Sequence, residues 1–284
     1  MPHGKKPLKN LSAGPKTRKV IKLKPARVWE IHAFTGEGMS GNPAGVCILE
    51  EKRDSTWMQE IARRLGLSET AFLVRSGNVW NIRWFTPVCE VDLCGHATLA
   101  SAHLLREQGL CRPESLHFRS RSGPLPVRFT ARGIELNFPA DPPLELTPPP
   151  LLLRALGLKQ SAAAAKGLTD YLVLLEDERS VAALLPDFEA LAKIDMRGVT
   201  VTAPARPPYD FVSRFFAPRA GIPEDPVTGS AHCLLGPFWG RRLGKRKLEA
   251  RQISSRGGKV KVTLAGERVY LEGQALTVKW NDLE

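Results

Sequence analysis

Two stretches of the sequence share one plan, RWFTPVCEVDLCGHA at residues 83–97 and RFFAPRAGIPEDPVTGSA at residues 214–231. Each reads Arg-aromatic-Phe-x-Pro, then a Glu, and then x-Gly-x-Ala at the predicted start of an apolar helix. The second copy holds three additional residues, and more than a hundred residues separate the two copies. Repetition over so long a distance predicts a duplicated domain rather than a solenoid of short repeats.

Strand and helix signals precede the first copy. Residues 28–34 and 79–85 are rich in β-branched and aromatic side chains, which is typical of strands. Between them, apolar residues at helical spacing predict a helix that is capped by Ser55 and ends at Gly66. This first half of the chain therefore mixes strands with helices.

Each copy of the repeat leads into a segment that is apolar nearly all round. A helix with that pattern is buried, so each is expected at the centre of its own half. Pro237 lies inside the second helix and is expected to end or kink it.

The chain is expected to divide near residue 145. A Pro-rich stretch at 141–150 predicts a linker with few contacts between a half at 28–140 and a half at 151–284. Two placements are open for the last strand of the second half: it stays in that half, or it returns to the first half. Residues 1–27 contain nine Lys or Arg and no acidic residue, which predicts a basic flexible tail.

The formal net charge of +12 is concentrated in that tail and in residues 241–261, so the rest of the chain is mildly acidic. Neither basic segment interleaves aromatic residues with its charges, and nucleic-acid binding is therefore not expected. The chain has no apolar run long enough to span a membrane, and the tail lacks the apolar core of a secretory signal. A soluble, cytoplasmic protein is predicted.

The cysteines argue against a disulfide framework and a zinc site. Their number is odd and no pair has CxxC spacing. A reducing cytoplasm fits this pattern best. The five residues are Cys47, Cys89, Cys94, Cys111 and Cys233.

The two Gly-x-Ala segments are candidates for anion binding. A helix N-terminus presents unpaired N–H groups and a partial positive charge, so helices that begin at Gly95 and Gly229 would bind an anionic substrate or transition state between them. Alternatively, both glycines only form tight turns. His96, Asp225 and Ser230 lie beside them, which favours a functional site.

Five ordered segments make the chain resemble the PhzF-like (phenazine biosynthesis) family, whose fold is similar to that of diaminopimelate epimerase. The segments are SGNPA at 40–44, LSETAF at 67–72, RWFTP at 83–87, LCGHATLA at 93–100 and GIPEDPVTGSAH at 221–232. The resemblance implies an α+β fold of two pseudo-symmetric halves, each a curled mixed β-sheet around a central helix. It also implies an active site between the halves, a homodimer, and a reaction without a cofactor or metal.

The resemblance also implies roles for individual residues. It makes Glu69 the general acid/base, and Leu67 and Phe72 are placed to desolvate this carboxyl and raise its pKa. The alternative is a solvated loop carboxylate. His96 and Asp225 are implied as further catalytic residues. Asn42, Gly95, Gly229 and Ser230 are implied to contact substrate.

Two of these residues, Asp225 and Ser230, also have plainer explanations. His96 has an ordinary pKa near neutrality, suited to holding a substrate group or moving a proton. Asp225 and Ser230 would instead be helix caps if their role is structural. His103 and His232 are expected in the core or on the surface, because no His, Asp or Glu cluster has the spacing of metal ligands.

Cys94 raises the alternative of a racemase. Diaminopimelate epimerase and proline racemase, which the resemblance brings in as relatives, use two thiols on opposite faces of the substrate. Cys94 supplies one of them, but the equivalent position in the second half is Thr228, which does not form an anionic base near neutral pH. A single-carboxylate mechanism is better supported.

These observations predict an isomerase that moves a proton between two carbons of a small carboxylated metabolite, with Glu69 as acid and base. One alternative is an epimerase or racemase that uses Cys94. Another is a catalytically silent binding or scaffold protein on the same fold, whose basic tail recruits a partner.

Overall fold

The computed structural model describes residues 26–283 as a mixed α+β structure, so the predicted basic tail lies almost entirely outside the described residues. The strands are β1 (Ala26–Thr35), β2 (Asn42–Leu49), β3 (Glu69–Ser76), β4 (Val79–Phe85), β5 (Glu90–Val91), β6 (Ser115–Ser120), β7 (Gly123–Phe129), β8 (Ile134–Pro139), β9 (Leu144–Glu145), β10 (Ala163–Lys166), β11 (Asp170–Leu174), β12 (Gly198–Pro204), β13 (Phe211–Ala217), β14 (Ile222–Asp225), β15 (Lys247–Gln252), β16 (Gly258–Ala265) and β17 (Arg268–Leu283). The helices are α1 (Ser55–Leu65), α2 (Gly95–Glu107), α3 (Pro150–Ala155), α4 (Glu178–Ala182), α5 (Phe188–Ala192) and α6 (His232–Leu243).

The first half forms a closed barrel. Its neighbours follow the order β1, β2, β3, β4, β6, β7 and β8, and β17 closes the ring by pairing with both β8 and β1. The β2–β3 and β4–β6 pairs are parallel, and the others are antiparallel. Helix α2 lies inside and contacts β1, β2, β3, β8 and β17.

The second half repeats this pattern strand for strand. β10 to β13 pair as β1 to β4 do, β13 pairs in parallel with β15, and β15, β16 and β17 follow as an antiparallel set. Helix α6 packs on β15, β16 and β17 and takes the place that α2 has in the first half. The two pseudo-symmetric halves predicted from the repeat are therefore confirmed.

The halves exchange strands at their boundary. The first part of β17 pairs with β16 and β8, and its continuation from residue 274 pairs with β1. In the same way β9, within the Pro-rich stretch 141–150, pairs with β10. That stretch makes more contacts than a free linker would, because the Asp141 carboxylate also accepts from the Leu168 amide.

The central helices α2 and α6 are buried as predicted. The starts of α1 and α6 differ in detail from the predicted ones. Helix α1 is capped by Asp54, whose carboxylate accepts from the Trp57 amide; the prediction of Ser55 as its cap was therefore wrong by one residue. α2 begins at Gly95 as expected. α6 begins three residues later than Gly229, because the preceding turn is tightened by bonds that span three residues, such as His232 N–H to Gly229.

Pro237 does not end α6, which continues to Leu243. A proline cannot donate to the carbonyl four residues earlier, which here belongs to Cys233. The Asp141 amide donates to that carbonyl instead, at 3.0 Å. The strand connection between the halves therefore supplies the hydrogen bond that the proline removes.

Buried apolar side chains form one core that runs through both halves, and two smaller clusters lie outside it. None of the helices between residues 26 and 283 is both long and apolar enough to cross a bilayer.

Candidate active site

Asn42, at the start of β2, joins the two halves at a fully buried position. Its Nδ2 donates to Asp225 Oδ1 at 2.8 Å and to the Val227 carbonyl at 2.9 Å, both in the second half. Its Oδ1 accepts from Ser68 Oγ at 3.2 Å. Asn42 therefore fixes the segment after β14 beside the end of β2, which brings residues about 180 positions apart in sequence to one place.

The two repeat glycines face each other at the same junction. A Cβ built on Gly95 would lie 3.5 Å from the Cα of Gly229, and one built on Gly229 would lie 3.6 Å from the Cα of Gly95. The two loops that precede α2 and α6 are thus in van der Waals contact. This is the placement expected from the repeat, with the qualification that α6 itself begins one turn later.

Glu69 is the first residue of β3, and its side chain lies at this junction. Its Oε2 is 3.2 Å from His96 Nε2, and the two side chains are 12% and 6% exposed. Within residues 26–283 neither atom has a well-aligned hydrogen-bond partner. A buried carboxyl and a buried imidazole therefore face each other with donor and acceptor capacity left for a third group.

The two carboxyl groups of the site have separated pKa values. The pKa of Glu69 is raised to about 8, chiefly by burial and also by the Asp225 charge, although the Cys94 thiol and the Arg197 charge oppose the shift. Burial also raises the pKa of Asp225, to about 6, against hydrogen bonds from Thr228 and Asn42. At neutral pH Glu69 is therefore mostly protonated and Asp225 mostly ionised, which is the division of roles that acid/base sites show.

His96 does not keep the near-neutral pKa expected of it, because burial lowers the pKa of the imidazole to about 3. The ring is therefore neutral under ordinary conditions. Its Nδ1 lies 3.5 Å from Cys94 Sγ and 3.3 Å from Asn42 Nδ2. Because both Asn42 hydrogens go to oxygens, Nδ1 is best placed to accept from the thiol. The ring proton is then on Nε2, facing Glu69.

Burial raises the pKa of the Cys94 thiol well above its usual range, and the neighbouring Glu69 adds to this effect. The thiol is therefore neutral and unsuited to act as a thiolate base. Glu69, Cys94 and His96 also bring their ligand atoms within 4.8 Å of one another, which is close enough to hold a metal ion. Sequence spacing did not predict this cluster, because its members come from two elements.

Ser230 and Asp225 do not cap a helix. The first turn of α6 has Ala231 at its cap position and no side-chain cap. Ser230 Oγ accepts from Arg197 Nη1 at 2.9 Å, whereas Asp225 accepts from Thr228 Oγ1 and Asn42. The capping alternative is therefore wrong for both residues.

Sequence reasoning missed two residues of this region. The buried Gln252 holds the loop before α6, because its Nε2 donates to the Asp225 carbonyl at 2.7 Å and its Oε1 accepts from the Thr228 amide at 2.9 Å. Arg197 contacts Ser230, as described above. Both lie outside the repeated segments, and nothing in their local sequence marks them.

The two halves differ at the position of Glu69. β2 pairs with β3 in parallel with Ala44 opposite Glu69, and β11 pairs with β12 in the same way with Asp170 opposite Gly198. Gly198 is thus the counterpart of Glu69. A Cβ at Gly198 would lie 2.3 Å from the Phe215 ring, so the second half has no room for a base there.

Comparison with known proteins agrees with this architecture. A 51% identical relative, an uncharacterized isomerase of Pseudomonas aeruginosa, aligns over 88% of this chain and 95% of its own length. A crystal structure of a PhzF-family phenazine biosynthesis protein from Enterococcus faecalis superposes with a TM-score of 0.87 at 42% identity, covering 92% of this chain and all of that one. A predicted epimerase from P. aeruginosa, 19% identical, covers 91% of this chain and 99% of its own with a TM-score of 0.68, and shows a likeness of fold alone.

The family model of phenazine biosynthesis-like proteins matches residues 31–280, which is nearly all of the described chain. That match spans both halves, both central helices and every residue of the junction. The epimerase-like fold predicted from the sequence is confirmed by the structural neighbours. The chain belongs to the PhzC-PhzF family of phenazine biosynthesis-like proteins.

Proposed function

We propose that the protein is a cofactor-independent isomerase that moves a proton between carbons of a small carboxylated metabolite, with Glu69 as acid and base. The observation that carries this proposal is the carboxyl of Glu69, buried beside His96 at the junction of the halves, where burial raises its pKa to about 8. A general acid/base works best with a pKa near the operating pH, because both protonation states are then accessible during one turnover.

The neighbours of Glu69 support the same chemistry. In the ionised state the carboxylate would accept a proton from a substrate carbon, while the neutral His96 Nε2–H, 3.2 Å away, would stabilise its charge. The protonated carboxyl would then return the proton to another carbon. Asp225, mostly ionised at neutral pH, disfavours a lasting negative charge on Glu69 and so favours that return.

A group for the developing substrate charge is also available. The backbone amides of residues 229–231 and of the N-terminus of α2 lie at the junction, where Gly95 and Gly229 meet, and would serve as donors to that charge. Donors fixed in a dry site stabilise charge that develops in a transition state without reorganising. We also propose that the protein is a homodimer, as the family resemblance implies.

An epimerase is the second candidate because Cys94 lies beside Glu69 and His96. Two-thiol catalysis needs a second thiol on the opposite face, and Thr228 and Gly198 provide none. The single-carboxylate mechanism therefore accounts better for the asymmetry between the halves.

The direct test is incubation of the protein with a metabolite extract in heavy water, followed by mass spectrometry for new deuterium bound to carbon. Incorporation by a small carboxylic acid supports the isomerase. If no metabolite gains deuterium above a protein-free control, a silent binding or scaffold protein is the better account.

The Cys94→Ser variant should keep this exchange within about tenfold of the wild-type rate, because burial keeps the thiol neutral and Thr228 holds the equivalent position in the second half. The matched control is Cys111→Ser, which changes a cysteine away from the junction. Complete inactivation of Cys94→Ser, or inactivation by stoichiometric alkylation of Cys94 alone, would instead support the epimerase.

A further inference from the structure

Arg197 is held rigidly at the edge of the junction. Its Nε donates to Asp170 Oδ1 at 2.9 Å and its Nη2 donates to Asp170 Oδ2, which makes a two-pronged pair with a carboxylate only 2% exposed. The guanidinium carbon lies 5.3 Å from the centroid of the Phe215 ring. A guanidinium fixed by a carboxylate fork and an aromatic ring has little freedom left to lose when it binds a ligand.

The third contact of Arg197 points into the junction. Nη1 donates to Ser230 Oγ at 2.9 Å, beside Gly229 and the loop that Asn42 fixes. A guanidinium has five N–H donors, and three are used within residues 26–283, so two remain for another acceptor. The side chain is 39% exposed, whereas Glu69 is 12% exposed. Arg197 therefore lies where a ligand would enter from solvent.

The duplication explains why a cation occupies this position. Gly198 is the counterpart of Glu69, so the second half lacks the base, and the residue just before it is Arg197. The Phe215 ring fills the space of the missing side chain and carries the guanidinium on its face. One half thus contributes a proton-transfer carboxyl and the other half contributes a positive charge.

The positive charge acts on the catalytic groups as well. Arg197 lowers the pKa of both Glu69 and Asp225, in opposition to burial. Asp170 neutralises part of the guanidinium charge, but it accepts only from the Nε and Nη2 side of the guanidinium. A substrate carboxylate at the free donors would complete the pairing of Arg197, and a charge-assisted bond of this kind is stronger than one to a neutral group.

We infer that Arg197, together with the Ser230 hydroxyl, binds the carboxylate of the substrate and so selects anionic substrates over their neutral analogues. This inference rests on the proposed function for its account of catalysis, but the binding itself can be tested separately. Arg197 lies outside the repeated segments and positions the substrate without taking part in proton transfer.

The probes for the test are 4-fluorobenzoate and 4-fluorobenzamide, which have nearly the same shape and differ in charge. Their affinities are measured by ¹⁹F NMR titration. The wild-type protein should prefer the carboxylate. Arg197→Met should weaken carboxylate binding by about 10-fold to 100-fold and leave amide binding unchanged, and Arg197→Lys should give an intermediate loss.

Two further variants keep the result interpretable. Arg197→Met leaves the buried Asp170 without its partner and destabilises the protein, so the double variant Arg197→Met, Asp170→Asn removes both charges at once. It should show the same loss of carboxylate preference in a folded protein. Arg219→Met removes a guanidinium that pairs with Asp195 on the surface, and it should bind both probes as the wild type does.

Equal carboxylate affinity in the wild type and in the Arg197 variants would overturn the inference, as would a wild-type protein with no preference for the carboxylate. Glu69→Gln distinguishes this failure from failure of the proposed function. If Glu69→Gln exchanges deuterium at the wild-type rate while Arg197→Met loses the carboxylate preference, the proton-transfer proposal fails and the binding role of Arg197 stands.

Discussion

Replacing Glu69 by glutamine should lower the rate of deuterium exchange into the substrate by about two to four orders of magnitude, the contribution expected of a general acid/base. Glutamine keeps the size of the side chain and a polar oxygen that faces His96, so the fold and substrate binding should persist. The loss should appear in single-substrate assays as a lower kcat, once the exchanging metabolite has been identified from the extract.

The pH profile of the wild type provides an internal check. Abstraction of a proton needs the ionised carboxylate, so kcat/KM should rise with pH up to the pKa of about 8 and then level off.

The control variant for Glu69→Gln is Glu267→Gln, which changes an exposed carboxylate on the turn between β16 and β17. Wild-type exchange by Glu69→Gln would mean that Glu69 is structural and the mechanism is wrong.

The contribution of Glu69 to the stability of the protein should fall as pH rises from about 4.5 to about 8. The pKa of Glu69 is 4.5 in the unfolded chain and about 8 in the folded protein, so the folded state binds more protons throughout this range. Its contribution is fully present below the unfolded pKa and is lost as pH rises through the folded pKa. The expected change in the free energy of unfolding is on the order of a few kcal/mol.

Other groups titrate in the same range, so the measurement is a difference between variants. Asp225, also raised, acts in the same direction, whereas His96 and His232, whose pKa values are lowered to about 3 and about 4, destabilise the fold as pH falls. Subtracting the free energy of unfolding of the wild type from that of Glu69→Gln at each pH isolates the contribution of Glu69. Denaturant midpoints should favour Glu69→Gln increasingly between pH 5 and pH 9 (on the order of a few kcal/mol in all). A difference that does not change with pH would contradict the buried, uncharged state of Glu69.

The sequence was sufficient to predict the duplication because the repeated segments coincide with the ends of β4 and β13 and the starts of the two central helices. The resemblance to the PhzF-like family, which five ordered segments carry, implied the fold class and a common site for Glu69, His96, Asn42 and Asp225. Local details were less accessible. Asp54 rather than Ser55 caps α1, since both are good capping residues and only the backbone geometry distinguishes them.

Long-range partners could not be predicted from the sequence. Arg197 and Gln252 are assigned to the site only by contacts with residues 24 to 33 positions away, and each would look like an ordinary polar residue on its own strand or loop. The pKa of His96 also depends on burial by both halves, so its ordinary value was a poor guide. For Arg197 and Gln252 the missing information was the packing of strands and loops within the second half, and for His96 it was the burial of the ring at the junction.

The path of β17 has a consequence for how the chain acquires its structure during synthesis. Ribosomes release the chain from the N-terminus, so residues 26–267 emerge while β1, β8 and β16 still lack the neighbour that β17 provides. The barrel of the first half therefore does not close before residues 268–283 are free. The most distant pairing in the chain is then formed last, which is the kind of topology that slows folding and leaves sheet edges open to wrong partners in the interval.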